Sequence, residues 1–185
     1  MADKVEDLKG FNPEVRNRDQ WSIRTYPKYG NKQWPAHVAT KVMDIPQDVL
    51  EELRTQAEQV EFKPYFAFNF GTVKHPWVDS IVEKYDEVQE AFFLKVDAKA
   101  MVLPHADPVR VSGLYAPLTP THNYSPLEIY DDTIYTIGES EMGGLYAWDP
   151  KIIHAVFNQG PDRINLQFNV SISYEEFRQK YLSGV

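Results

Sequence analysis

The stretch Arg163-Ile164-Asn165-Leu166-Gln167-Phe168-Asn169-Val170 alternates polar and apolar residues without a break. Side chains on an extended strand point to opposite faces with period two, so this run, continued to residue 173, predicts a β-strand. Upstream, back to residue 91, helical periodicity is absent. Short strand-like runs occupy 91–97, 99–105, 110–117, 126–130, 133–137, 144–148 and 152–157. Turn signals separate them: Pro108, Pro120 to Ser125, Asp131-Asp132, Gly143-Gly144, Asp149-Pro150 and Gly160-Pro161. Many short strands at this spacing predict a sandwich or barrel.

The first ninety residues read differently. Residues 1–19 are polar and form a loosely held arm. Trp21 to Tyr26 alternates and predicts a strand, followed by a turn-rich loop from Pro27 to Pro35. Pro46 opens a helix whose apolar stripe is Val49, Leu50, Leu53, Ala57 and Val60. Tyr65 to Phe70 predicts one strand ended by Gly71, and a second helix follows Pro76 with the stripe Val78, Ile81, Val82, Tyr85 and Val88. Both helices are expected to pack on a sheet and carry no chemistry. A last helix is expected from Tyr174 to Leu182. Helices first and strands after is an α+β order, here mainly β. The expected organisation is one domain over 1–185. Its parts are an arm with supporting elements (1–90), a strand-rich core (91–173) and a C-terminal helix (174–185).

With 185 residues the chain can bury a sizeable core, and 43% hydrophobic residues is an ordinary globular composition. No apolar run approaches the ~20 residues of a membrane helix. The charged N-terminus lacks the apolar run of a secretory signal. There are no cysteines, which removes disulfides, iron–sulfur clusters and thiol nucleophiles and fits a cytoplasmic setting. A net charge of −8 argues against nucleic-acid binding, because phosphate backbones repel an acidic surface.

His105-Ala106-Asp107 carries the chemistry. Two residues apart on an extended strand, an imidazole and a carboxylate reach the same side and can grip one face of a divalent metal. A third ligand must come from elsewhere, and His154 is the best candidate. It stands an even step from Ile152 and Val156 and should point inward with them, as a buried hydrogen-bonded histidine or as a ligand. Two histidines and one carboxylate with open positions opposite form the facial triad of non-heme iron sites. Arg163 can clamp a carboxylate through paired hydrogen bonds. Other residues read either way. Arg110 is a substrate-carboxylate partner or a solvated strand-end charge. Tyr115 is a hydroxyl donor or core. Trp148 is a pocket wall or simple packing. Asn158 caps or orients the turn after the His154 strand. His122 sits in the loop 117–126, as a surface residue or on a lid. His37 and His75 have no expected role.

Taken together, Leu103-Pro104-His105-x-Asp107-Pro108, Tyr115-x-Pro117-Leu118-Thr119-Pro120 and His154-Ala155-Val156-Phe157-Asn158 followed by Arg163 resemble the 2-oxoglutarate- and Fe(II)-dependent oxygenases. More narrowly they resemble the aspartyl/asparaginyl β-hydroxylase-like branch, over roughly residues 91 to 173. The resemblance implies a double-stranded β-helix, a jelly roll related to cupins, with supporting N-terminal helices. It implies Fe(II) held by His105, Asp107 and His154, and 2-oxoglutarate held at its distal carboxylate by Arg163. Asn165 stands where many relatives carry Ser or Thr as a second carboxylate contact. The implied reaction consumes O2 and 2-oxoglutarate, releases succinate and CO2, and hydroxylates a small molecule or peptide, such as an amino acid or protein residue. Two alternatives remain: a cupin enzyme that needs metal but not 2-oxoglutarate, and a non-catalytic jelly-roll module that binds iron or a carboxylic acid.

Overall fold

The structure is a computed structural model that describes residues 35–183 apart from 66, 121–124, 132–133 and 139–140. The expected strand at 21–26, the arm at 1–19, His122 and much of the loop 117–126 lie outside the described residues.

Eight strands follow one another from residue 88. They are β4 (Val88–Val96), β5 (Met101–His105), β6 (Ser112–Pro117), β7 (Leu127–Tyr130), β8 (Ile134–Ile137), β9 (Gly144–Trp148), β10 (Ile153–Phe157) and β11 (Arg163–Val170). They are preceded by β1 (Ala39–Asp44), α1 (Gln47–Gln59), β2 (Lys63–Tyr65), β3 (Phe68–Thr72) and α2 (Pro76–Lys84), and followed by α3 (Tyr174–Tyr181). One sheet has the order β1-β9-β6-β11-β4-β3-β2 and the other β5-β10-β7-β8. Every pairing is antiparallel. The eight late strands are shared four and four between the sheets, which is a jelly roll.

The seven-stranded sheet buries both faces. Ile164, Leu166, Phe168 and Val170 of β11 pack with Leu50, Leu53 and Ala57 of α1, Val78 and Ile81 of α2, and Phe177 of α3. The helices therefore act as sheet supports, as expected. Ends are set locally: the His75 ring accepts from the Trp77 amide at the start of α2, and Ser173 with Glu176 forms a capping box on α3. The other face looks across at the four-stranded sheet, where Leu94, Tyr115, Tyr146 and Trp148 meet Val102, Leu127, Ile129 and Val156.

Three expectations change. Residues 65–70 form a hairpin and not one strand: Tyr65 pairs with Phe68 and Lys63 with Phe70, so Gly71 lies inside β3. The fold back lets Tyr65, Phe68 and Phe70 share one aromatic cluster with centroids 5.3–5.7 Å apart, which a single strand would split between two faces. A Cβ on Gly71 would meet Val60 Cγ1 at 2.9 Å, so glycine is needed for close packing, not for a stop. Second, α2 ends at Lys84, and Val88 opens β4 instead of extending the helical stripe. Third, β1 was not expected. Thr40 and Val42 give it two β-branched residues at alternate positions, and it pairs with β9.

Candidate active site

β5 and β10 are neighbours, and their register places His105 opposite His154. The pairing slips between there and Val102↔Val156: three steps of β5 oppose two of β10. That extra residue is a β-bulge, and it re-aims a side chain. Val102 faces the space between the sheets. Strict alternation from it would send Pro104 inward and His105 out. The bulge returns His105 to the inside, facing His154 with ring centroids 4.4 Å apart.

Asp107 does not share the strand, contrary to the expectation that both residues of the pair sit on one extended segment. β5 ends at His105, since Pro108 beyond it cannot extend the ladder. Asp107 sits in a loop pinned to the segment before β10. Its amide donates to the Pro150 carbonyl at 2.9 Å, and Lys151 Nζ donates to the Asp107 and Pro108 carbonyls at 2.9 and 3.1 Å. The loop turns the carboxylate back over both rings. Asp107 Oδ1 lies 3.2 Å from His105 Nε2 and 3.8 Å from His154 Nε2. One ligand atom from each of the three residues falls within 4.8 Å of the others.

The two rings are oriented the same way. His105 Nδ1 donates to the Leu103 carbonyl at 2.8 Å, and His154 Nδ1 donates to the Ile152 carbonyl at 2.9 Å. A carbonyl can only accept, so each Nδ1 bears hydrogen and each ring directs its Nε2 toward Asp107, where a metal ion could take it as a ligand atom. Burial pushes the His154 pKa down to about 4, so that ring is neutral at pH 7. The hydrogen bond with Asp107 raises the His105 pKa against its desolvation. Burial alone would raise Asp107, but the His105 hydrogen bond and the charge of Arg110 outweigh it and hold the carboxylate below its usual range. Three such donors fit a divalent metal. His154 is 7% exposed and His105 37%, so the centre opens on the His105 side.

Arg163 opens β11, and its side chain is buried between the sheets. Nε donates to the Ser125 carbonyl at 2.6 Å and Nη2 donates to the Tyr115 hydroxyl. Burial pushes the Tyr115 pKa up to about 12, so the phenol stays protonated at neutral pH. Two residues on, Asn165 is fully buried, and neither its Nδ2 nor its Oδ1 has a hydrogen-bond partner. A buried unpaired amide is destabilising by about 1–3 kcal/mol per group. A carboxylate accepting from Nδ2 would relieve part of that, so the set Arg163, Tyr115 and Asn165 fits a carboxylate ligand.

Arg110 is not the solvated charge that the sequence allowed. Its guanidinium donates to Gln167 Oε1 at 2.7 Å and Asn169 Oδ1 at 3.1 Å, and lies 3.6 Å from Asp107 Oδ2 and 5.7 Å over the Phe92 ring. Trp148 both packs and walls the centre: it is buried and stands edge-on to His154 at 4.7 Å. Asn158 Nδ2 donates to the carbonyls of Val96, Asp97 and Pro161 and orients the turn after β10 as expected. Sequence reasoning passed over Gln167 and Asn169, although both stand at even steps from Arg163 in the alternating run. It also passed over Lys151 and Ser125, whose residue types carry no signal.

No family model and no curated protein matches the chain. Solved structures do. A prolyl-4-hydroxylase from Pseudomonas putida is 15% identical with a TM-score of 0.59, over 74% of this chain and 93% of that one. A prolyl hydroxylase from Trichoplax adhaerens, in complex with a hypoxia inducible factor oxygen degradation domain peptide fragment, is 11% identical with a TM-score of 0.57, over 78% and 87%. HygX from Streptomyces hygroscopicus with nickel and 2-oxoglutarate bound is 8% identical with a TM-score of 0.53, over 72% and 82%. At these identities the likeness shows a shared fold.

Proposed function

We propose that the protein is an Fe(II)- and 2-oxoglutarate-dependent dioxygenase that hydroxylates an amino acid, free or within a peptide. The observation that carries this reading is the convergence of two oriented imidazole Nε2 atoms and one carboxylate within 4.8 Å. Neighbours of the same fold that are hydroxylases or bind nickel and 2-oxoglutarate support it. The narrower aspartyl/asparaginyl β-hydroxylase-like assignment belongs to the proposal and rests on the sequence motifs alone.

His105, Asp107 and His154 would hold the metal by one face and leave the opposite positions open. Bound there with 2-oxoglutarate and O2, iron supplies C–H hydroxylation with release of succinate and CO2. The remaining work belongs to the chain. Arg163 gives the distal carboxylate of 2-oxoglutarate a charge-assisted partner, and the protonated Tyr115 and the Asn165 amide give it further donors. Trp148 and Val156, buried beside His154, keep water from the inner side of the centre. Arg110 braces the Asp107 carboxylate against β11.

A cupin-type centre would need a glutamate ligand, and Glu128 is the acid nearest in sequence pattern. In register it lies opposite Ala155, whereas Ile129 lies opposite His154. Its carboxylate accepts from the Tyr130 hydroxyl on the other face of the sheet, away from the histidines. Incubation with Fe(II), oxygen, 2-oxoglutarate and a panel of amino acids and peptides should release succinate above a His154→Ala control. Metal-bound wild type that never exceeds the control would sink the proposal.

A further inference from the structure

The hydroxylase reading leaves open whether the reacting residue arrives free or within a chain, and the surface around the centre bears on this. A cleft of about 1200 Å³ runs from His105 and Asp107 to a wall formed by Tyr65, Phe68 and Phe70. Small-molecule pockets occupy roughly 300–1,000 Å³, and a single amino acid would leave most of this cleft unfilled. The wall continues inward through Phe70 onto Phe92, with ring centroids 4.9 Å apart.

The exposed apolar surface is concentrated at the same place. Among the described residues the exposed large hydrophobic side chains are Tyr65 at 51%, Val109 at 85% and Val111 at 39%. All three line this cleft. Scattered exposed apolar residues need no explanation, but their confinement to one rim marks an interaction site. The cleft also lies between two sheet edges. β5 ends the four-stranded sheet and β2 ends the seven-stranded one, and residues of both line it. An edge strand offers main-chain groups to an added extended chain, while pockets beside it take alternate side chains.

The charges in the lining run against the acidic character of the chain. They are Lys99, Arg110 and Asp107. Asp107 belongs to the metal centre and Arg110 is spent on Gln167 and Asn169. Lys99 is left, held exposed in the β4–β5 turn at φ 60°. It lies in the turn before β5, whose four steps from Met101 to His105 span at most roughly 13 Å at 3.3 Å per residue, so it sits toward the end of the cleft away from the metal ligands.

We propose that this cleft seats an extended segment of another polypeptide, with bulky apolar side chains at alternate positions and an acidic residue toward the Lys99 end. The proposal rests on the hydroxylase reading for what happens at the metal, but docking can be measured apart from it. The probe is a fluorescein-labelled twelve-residue peptide with Phe, Leu or Tyr at alternate positions and Glu near one end. A second peptide carries Ser at the alternate positions. Anisotropy would be followed on the full chain with nickel(II) and 2-oxoglutarate, and again without them. The apolar peptide should bind at least tenfold more tightly than the Ser peptide. Tyr65→Ser with Val109→Asp, both at exposed positions and so compatible with folding, should remove that preference. Lys99→Glu should weaken the Glu peptide severalfold and leave a Gln peptide unchanged. Equal binding of the apolar and Ser peptides would overturn the proposal. So would indifference to the paired variant, or displacement by free phenylalanine at equal concentration. Peptide binding that persists without nickel and 2-oxoglutarate shows docking even where the metal titration fails, so the two readings fall separately.

Discussion

At the proposed carboxylate site, Asn165 is the residue whose ligand-free state is most plainly unfavourable. Its amide is fully buried with both polar atoms unpaired, and removing such a group in favour of an apolar one of similar shape is neutral or stabilising. Asn165→Leu should therefore hold or raise the melting temperature of the metal-free protein, by up to about 2–4 °C for a gain near 1 kcal/mol. The same variant should bind 2-oxoglutarate more weakly once a divalent metal is present. A melting temperature that falls by several degrees, or an unchanged 2-oxoglutarate affinity, would remove Asn165 from the carboxylate site. Tyr115 bears on the same site through pH. With its pKa pushed to about 12 by burial, the phenol remains a donor throughout the neutral range. 2-Oxoglutarate affinity should then show no loss from tyrosine ionisation up to about pH 9. A loss centred near the ordinary phenol value of about 10 would contradict this.

At the level of elements, the centre is made by two departures from regular strands. The bulge in β5 turns His105 inward, and the loop after it brings Asp107 over both rings. Lys151, just before β10, ties that loop down through two carbonyls. Lys151→Met should weaken nickel(II) binding by about tenfold at most, in line with loss of charge-assisted hydrogen bonds near the surface. Lys151→Arg should restore part of it. An unchanged affinity in the Met variant would mean that the Pro150 contact alone sets the loop.

These departures explain what could be read from the residues beforehand. The late strands were legible because alternation and turn residues are local signals: β9 runs from Gly144 to Trp148, the expected bounds. The bulge was not, because nothing in Leu103-Pro104-His105 says which residue is extra; that depends on the partner β10. β11 was legible as a strand but ambiguous in its facing. Its polar set Arg163, Asn165 and Gln167 is buried and its apolar set is buried too. Alternation ordinarily puts the polar set in water, and burying it is destabilising unless something is gained. Arg163 stood out by its guanidinium, but Asn165 could be selected only through the resemblance. The hairpin of β2 and β3 was lost because a run of aromatics carries no turn signature.

For the molecule as a whole, the two sheets form a frame with the centre near one opening. No helix among the described residues is long and apolar enough to cross a membrane. A ligand that binds only the folded chain stabilises it. Metal at a hundred times its dissociation constant should add about 2.7 kcal/mol, a rise of roughly 5–10 °C in melting temperature at this chain length. The rise should vanish in His154→Ala. An equal rise in that variant would place the metal elsewhere.

The most direct measurement is an anaerobic titration of the full chain with Fe(II) and then 2-oxoglutarate, watching for the weak visible charge-transfer band of a metal-chelated keto acid. The band should grow to one equivalent in the wild type, be absent in His154→Ala, and need more 2-oxoglutarate in Arg163→Ala. Iron bound without a band would contradict the 2-oxoglutarate site, and a chain that binds no iron would contradict the metal centre itself.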